Sequence, residues 1–432
     1  MSVDAMPVLE PRKRRDWRDQ ATWTTVADVF AILAVLTLPW STTLPGIFVP
    51  CWLGAMAWVM DWRAFARFLA QPICYLPLAL AGLAAVGTLW SDAAWGTRFY
   101  ALGHMLKLLV LPGLFYHFER SSRGMWVFIA FLVSCVLLMI VSWLVAIEPS
   151  LSLKAPGEAG GRGIFVKNYI AQSQEFALCA VALAYPIIRL VQAKRLWLAL
   201  MLGAISLGFI LNMSFVIVSR TAMVTIPIML AVFAVLHLKW RTSLLMFAGL
   251  AVIAALAFAT SPQLQQTVNT FSRDYRLYTT ENVPTALGLR LEFWKKSLRF
   301  FAEAPVIGHG TGSTQRLFER AATGSTVSAT GQIINNPHNQ TLNIAVQWGI
   351  AGIILLYAMW WVHLRLFRGD GLVAWIGLLV VVQNIFTSLF NSHISDFHEG
   401  WMYVLGVGVA GGMVLRARSR DEAREPPEIV RP

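Results

Sequence analysis

The chain has 432 residues, 57% hydrophobic and 13% charged, with a net charge of +12 and a mean hydropathy of +0.59. Soluble domains carry roughly 25% charged residues, so an ordinary soluble enzyme is excluded. A nucleic-acid binder is excluded as well, because the Lys and Arg are dispersed between apolar runs rather than gathered on one face.

The first 25 residues are polar and basic, with Arg12, Lys13, Arg14, Arg15 and Arg18, and no small-residue cleavage pattern follows the first apolar run. They read as a cytoplasmic tail rather than a removed signal peptide. From residue 26 onward, apolar runs long enough to span a bilayer, about 20 residues each, recur along the chain. Within 26–260 they fall near 26–42, 44–60, 73–90, 99–118, 125–147, 169–190, 196–218, 221–238 and 242–260, and within 340–416 near 340–361, 372–390 and 399–416. The expectation is an all-α polytopic protein of about 12 transmembrane helices, closed by a charged tail over 417–432. Cys51, Cys74, Cys135 and Cys179 all lie inside apolar runs, where they read as small core residues rather than a disulfide or zinc framework.

Sidedness follows from the basic residues, which concentrate in cytoplasmic loops. With both termini inside, the short outer loops hold only Arg98, Lys154, Arg162, Lys167 and Arg220, and the remaining clusters fall on the cytoplasmic side. The long segment Ser261–Asn339, between spans 9 and 10, then lies outside the membrane. Loops of that length are usually functional.

Polar residues inside the spans gather toward the same outer side. His104 and Lys107 lie in span 4; Gln172, Gln174 and Glu175 open span 6; Asp396, His398 and Glu399 open span 12. Ionisable groups at membrane depth are costly and usually mark a site or a path, although Glu175 and Lys107 could simply pair with each other. Arg220 is the one charged side chain between Leu196 and Leu238, and a break at Ser219-Arg220 puts it on a tight outer turn of spans 7 and 8.

In the long loop, Leu287, Leu291, Trp294, Leu298 and Phe301 recur at helical spacing, an amphipathic helix ended by Pro305 that would rest on the membrane or the bundle. At about 100° per residue, Glu292, Lys296, Arg299 and Glu303 point away from that stripe. Arg290 falls beside it, facing whatever the helix covers. It either snorkels along an apolar surface or serves a site. The glycine-rich GHGTGST at Gly308–Thr314 follows a helix rather than a strand and is a weak phosphate signal. At the loop's end, Asn336 reads as the N-cap of span 10, Pro337 as its first helical residue and His338 as part of its first turn. His338 either caps and packs, or stands as a neutral base beside an anion site at a helix N-terminus.

Two guanidiniums, Arg220 and Arg290, with a helix N-terminus would suit a doubly charged phosphate, since arginine offers planar bidentate donors and keeps its charge. Asp274, Glu281, Glu292, Glu303 and Glu319 are too widely spaced along the loop for a Mg²⁺ or Mn²⁺ site. Neither a metal nor a cofactor is expected.

The turn SRTA at Ser219–Ala222, GLRLEFWKKSL from Gly288, APVIGHGTGS from Ala304 and PHNQTLNIAVQWGIAG from Pro337 together resemble the O-antigen ligase and O-antigen polymerase superfamily of bacterial inner-membrane glycosyltransferases. The resemblance implies a GT-C-like membrane glycosyltransferase whose active site faces the periplasm. It also implies an undecaprenyl-pyrophosphate-linked O-antigen donor, a lipid A-core oligosaccharide acceptor, and His338, Arg220 and Arg290 as essential residues. Asn339, Lys107, Gln174, Glu175 and Asp396 are candidates for supporting roles. Polymerases of the superfamily commonly have a second substantial outer loop, and its protein-glycosylating members carry extra sequence after the last span. The short stretch Glu148–Asn168 and the short charged C-terminus favour the ligase. A lipid-linked glycan transporter would instead show two matching halves with charges at mid-membrane.

Overall fold

The structure, a computed structural model, describes residues 20–153, 162–217, 219–325 and 327–423. Most of the basic N-terminal tail, Lys154, and the end of the C-terminal tail lie outside those residues. The described residues contain helices and no strand. In chain order these are α1 (Gln20–Thr37), α2 (Thr43–Val59), α3 (Trp62–Phe68), α4 (Pro72–Val86), α5 (Trp95–Met105), α6 (Leu111–Arg120), α7 (Gly124–Ile147), α8 (Tyr169–Ala182), α9 (Ala184–Gln192), α10 (Leu196–Phe215), α11 (Arg220–His237), α12 (Trp240–Thr260), α13 (Pro262–Glu281), α14 (Ala286–Glu303), α15 (Thr314–Arg320), α16 (Gln340–Leu366), α17 (Leu372–Thr387) and α18 (Phe397–Glu422). A 3₁₀ stretch, Leu106–Val110, joins α5 to α6.

Every apolar run read from the sequence is helical, but helix length does not fix twelve spans. Among the described residues, eight stretches are long and apolar enough to cross a membrane, and α2 with α3, bent by 114°, would make a ninth. Pro72–Val86 and Leu372–Thr387 are apolar but shorter, at 15 and 16 residues. Both fall short of the roughly 20 residues that cross a hydrocarbon core upright, whereas α11 has the same 18 residues as α1.

The bundle centres on α18, which packs against α6 and α17, and on α16, which packs against α4 and α14. Without a hydrophobic driving force between helices in lipid, close packing falls to small residues. Gly408 of α18 lies against Leu114 of α6, and Gly411 lies against Phe115.

The segment Ser261–Asn339 is a helical subdomain. Ser261 caps α13 by accepting from the Leu264 amide, and its hydroxyl donates to the Ser214 carbonyl of α10. Asn282, in the left-handed region at φ 53°, turns the chain into α14, which Thr285 caps.

Candidate functional site

The subdomain is stitched into span α16 at a break. Gly349 has φ 61° and ψ −152°, which interrupts the helix and frees backbone groups that lipid could not satisfy. Residues 305–310 satisfy them: Ile350 donates to the Pro305 carbonyl (2.8 Å), His309 to that of Val346 (2.9 Å) and Gly310 to that of Gln347 (2.8 Å). Gly308, at φ 64°, lies so close that a Cβ would meet the Gln347 and Trp348 backbone at 2.5 Å. The glycine-rich run is thus a backbone splice that holds the loop in the bundle.

His338 departs from its expected position. Asn339, not Asn336, caps α16 by accepting from the Leu342 amide (3.0 Å), so His338 stands just outside the helix. Its φ of 53° is left-handed, a conformation no helical first turn allows. Asn336 instead forms a small turn: its Oδ1 accepts from the His338 amide (2.9 Å) and from the Ser392 hydroxyl (2.7 Å). The half-buried His338 ring stacks on Phe293 of α14 at 6.2 Å, and its Nδ1 is 2.8 Å from Asn391 Oδ1.

α14 covers the bundle with a face other than the apolar stripe. Glu292, Phe293, Lys296, Ser297 and Phe300 are buried, whereas Leu298 is 57% exposed. The two charges tolerate burial because they are paired and hydrogen-bonded. Lys296 Nζ is 3.7 Å from Glu292 Oε1 and donates to the Thr330 carbonyl (2.6 Å), and Tyr278 donates to Glu292 Oε2 (2.9 Å). Phe293 and Phe300 then pack on Phe318 of α15 and Val346 of α16. Arg290 is half-buried on the flank of this face, three residues before Phe293 and so on the adjoining surface position. It is therefore one helical step from the ring that stacks on His338. Arg220 begins α11 directly after the cap Ser219, as the turn reading expects; its side chain lies outside what the structure describes.

The other candidates divide into two groups. Lys107 and Asp396 join the segment behind His338: Lys107 donates to the Ser395 carbonyl (3.4 Å) and to that of Asp396, and Asn391 Nδ2 donates to Asp396 Oδ2 (2.7 Å). Asn339, besides capping, donates to the Leu389 carbonyl (3.1 Å) at the start of that segment. Glu175 and Gln174 have other partners, with Gln174 lining a small pocket together with Glu399. Glu175 pairs with Lys167 (3.8 Å) rather than Lys107, and Gln174 accepts from Gln383 (2.9 Å).

Asn391 and the buried His393 were not singled out in the sequence, although the density of polar residues in SLFNSHISDFHEG, between two apolar runs, is a legible signal. His393, Asp396 and Glu399 are close enough to share a cation. Lys107 Nζ donates to the Ser395 and Asp396 carbonyls beside them, so an amine side chain already stands next to this group.

Beside this cluster opens a cavity of about 1080 Å³ between α2, α5 and α16. Small-molecule pockets run to roughly 1,000 Å³, so this one suits a ligand of several sugar rings. Tyr100 and Trp401 supply aromatic faces, Asn343 and Gln347 supply amides, and Asn336 and Asp396 connect it to His338.

Residues 205–357, from α10 into α16, match the family model described as O-antigen ligase. The match takes in about a third of the chain, and over that stretch the chain is similar to the family. Members of that family are membrane glycosyltransferase-like ligases, and the matched stretch takes in Arg220, Arg290, the α16 splice and His338. A Haemophilus influenzae protein described only as uncharacterised is 25% identical over 143 residues, 32% of this chain and 36% of that protein. The chain thus spans well under half the length of that curated relative.

Proposed function

We propose that the protein is an O-antigen ligase that transfers O-antigen polysaccharide from undecaprenyl pyrophosphate to the lipid A-core oligosaccharide. The reaction takes place at the periplasmic face of the inner membrane, without a metal and with inversion at the anomeric carbon. The observation that carries this reading is the setting of His338: a ring held at Nδ1 and against Phe293, one helical step from Arg290, beside a sugar-sized cavity and inside the stretch that matches the ligase family.

In the reaction, the attacking core hydroxyl hands its proton to His338 Nε2 as its oxygen bonds to the anomeric carbon. The glycosyl–phosphate bond breaks on the opposite side of the sugar. Arg220 and Arg290 bind the pyrophosphate and stabilise the charge that grows on it, a preorganised electrostatic contribution. Binding both substrates in one cavity would supply orientation as well.

The test is incubation of purified protein with undecaprenyl-pyrophosphate-linked glycan and either rough lipopolysaccharide or further lipid-linked glycan. Extension of the lipopolysaccharide is expected. Extension of the lipid-linked glycan alone would make it a polymerase, transfer to a polypeptide would make it a protein glycosylating enzyme, and lipid flipping without transfer would make it a transporter.

A further inference from the structure

We propose that Asp396 is a positioning residue that fixes the tautomer of His338 through Asn391, and this rests on the reading of His338 as the base. A carboxylate only accepts hydrogen bonds. The Asn391 atom 2.7 Å from Asp396 Oδ2 is therefore the amide nitrogen, which turns Oδ1 of Asn391 toward His338 Nδ1 at 2.8 Å. An amide oxygen also only accepts, so Nδ1 carries the ring proton and Nε2 the lone pair. That is the form a base needs.

If the amide rotated, Asn391 would present its NH₂ to Nδ1. The ring proton would move to Nε2, and the reacting nitrogen could no longer take up a proton.

The surrounding contacts hold Asp396 for this purpose. Lys107, from the 3₁₀ turn of span 4, donates to the carbonyls of Ser395 and Asp396. From within the segment, His393 Nδ1 lies 3.4 Å from Asp396 Oδ2 and 3.9 Å from Glu399 Oε1. Ser392, on the same segment, donates to Asn336, the residue that accepts from the His338 amide. The stretch between α17 and α18 thus grips both the backbone and the ring of His338. In the triad logic of other enzymes the third member does the same for its histidine, and setting the wrong tautomer there lowers turnover by about 10⁴.

The test combines ring ¹⁵N NMR of full-length, ¹⁵N-histidine-labelled protein with kinetics on undecaprenyl-pyrophosphate-linked glycan and rough lipopolysaccharide. Subtraction of the His338→Ala spectrum assigns the ring. The wild type is expected to show the Nδ1–H form. Asp396→Ala is expected to shift His338 toward the Nε2–H form and to lower kcat by about 10² or more, with the donor KM unchanged. The exchange Asn391→Asp with Asp396→Asn keeps an acceptor facing Nδ1, and it is expected to recover turnover to within about tenfold of wild type. A wild-type ring in the Nε2–H form, or an unchanged ring in Asp396→Ala, would overturn the proposal. So would a loss of turnover in Asp396→Ala that tracks a raised donor KM. If the ring behaves as expected but no preparation transfers glycan, the tautomer lock stands and the transferase reading falls.

Discussion

Among the described residues, one histidine–aspartate cluster is buried and another, near the opposite end of the bundle, is half-buried, and they differ in what their histidines are left to do. Where α6 runs into α7, His117 Nε2 bonds Asp28 Oδ1 at 2.8 Å, Ser121 donates to the same oxygen at 2.6 Å, and Arg123 reaches Oδ2 at 3.0 Å. Asp28 and His117 are 1% and 2% exposed. At the other end, His338 is half-buried, its partner is a neutral amide one bond removed from the carboxylate, and a cavity of about 1080 Å³ begins at its neighbours. The first arrangement closes on itself and serves to hold helices. The second spends its hydrogen bonds on orientation and keeps a nitrogen for chemistry.

Three perturbations sharpen that contrast. The largest effect is expected in the closed cluster: removing one partner of a buried pair costs about 3–5 kcal/mol, so Asp28→Ala should lower the midpoint of thermal unfolding sharply. Glycan transfer per folded molecule should stay near wild type; a selective loss of transfer would mean that this end also serves the reaction. Next, Arg290→Lys and Arg220→Lys should each lower transfer by about 10²–10³, because lysine keeps the charge but loses the bidentate fork. Transfer assays with folding monitored in parallel check this, and near-normal activity in either variant would remove that arginine from the site.

The smallest effect concerns the Glu292 network under α14. Burial and the bond to Glu292 push the Tyr278 phenol up to about 12. Glu292→Gln should let Tyr278 ionise at lower pH, seen as the phenolate absorbance that is lost in Tyr278→Phe. The sign follows from linkage: the folded state holds this proton more tightly than the unfolded chain. The stability it contributes is fully present below about pH 10, the unfolded value, and is lost as pH rises toward 12. An unchanged titration in Glu292→Gln would show that burial alone raises the phenol.

The sequence made the helices legible because an apolar run in lipid has few other ways to satisfy its backbone. The break at Ser219-Arg220 was readable from its cap and charge pattern, and the start of α16 near residue 340 from the apolar run alone. The face of α14 was not. Periodicity locates an apolar stripe but cannot show that Glu292 and Lys296 satisfy each other and are buried, leaving the Leu298 side outward. The N-cap assignment failed for a related reason: two asparagines flank Pro337-His338, and only the fold shows that Asn336 bonds a turn while Asn339 caps. Asn391 escaped notice because its role depends on a contact 53 residues away in the chain.

The most direct test of the reading measures undecaprenyl pyrophosphate binding and glycan transfer side by side in His338→Ala and Arg220→Ala. The expected result is that His338→Ala abolishes transfer while binding the carrier nearly as well as wild type, whereas Arg220→Ala loses both. Near-wild-type transfer by His338→Ala would contradict the proposed site, and loss of binding as severe as that of Arg220→Ala would make His338 a pyrophosphate ligand instead of the base.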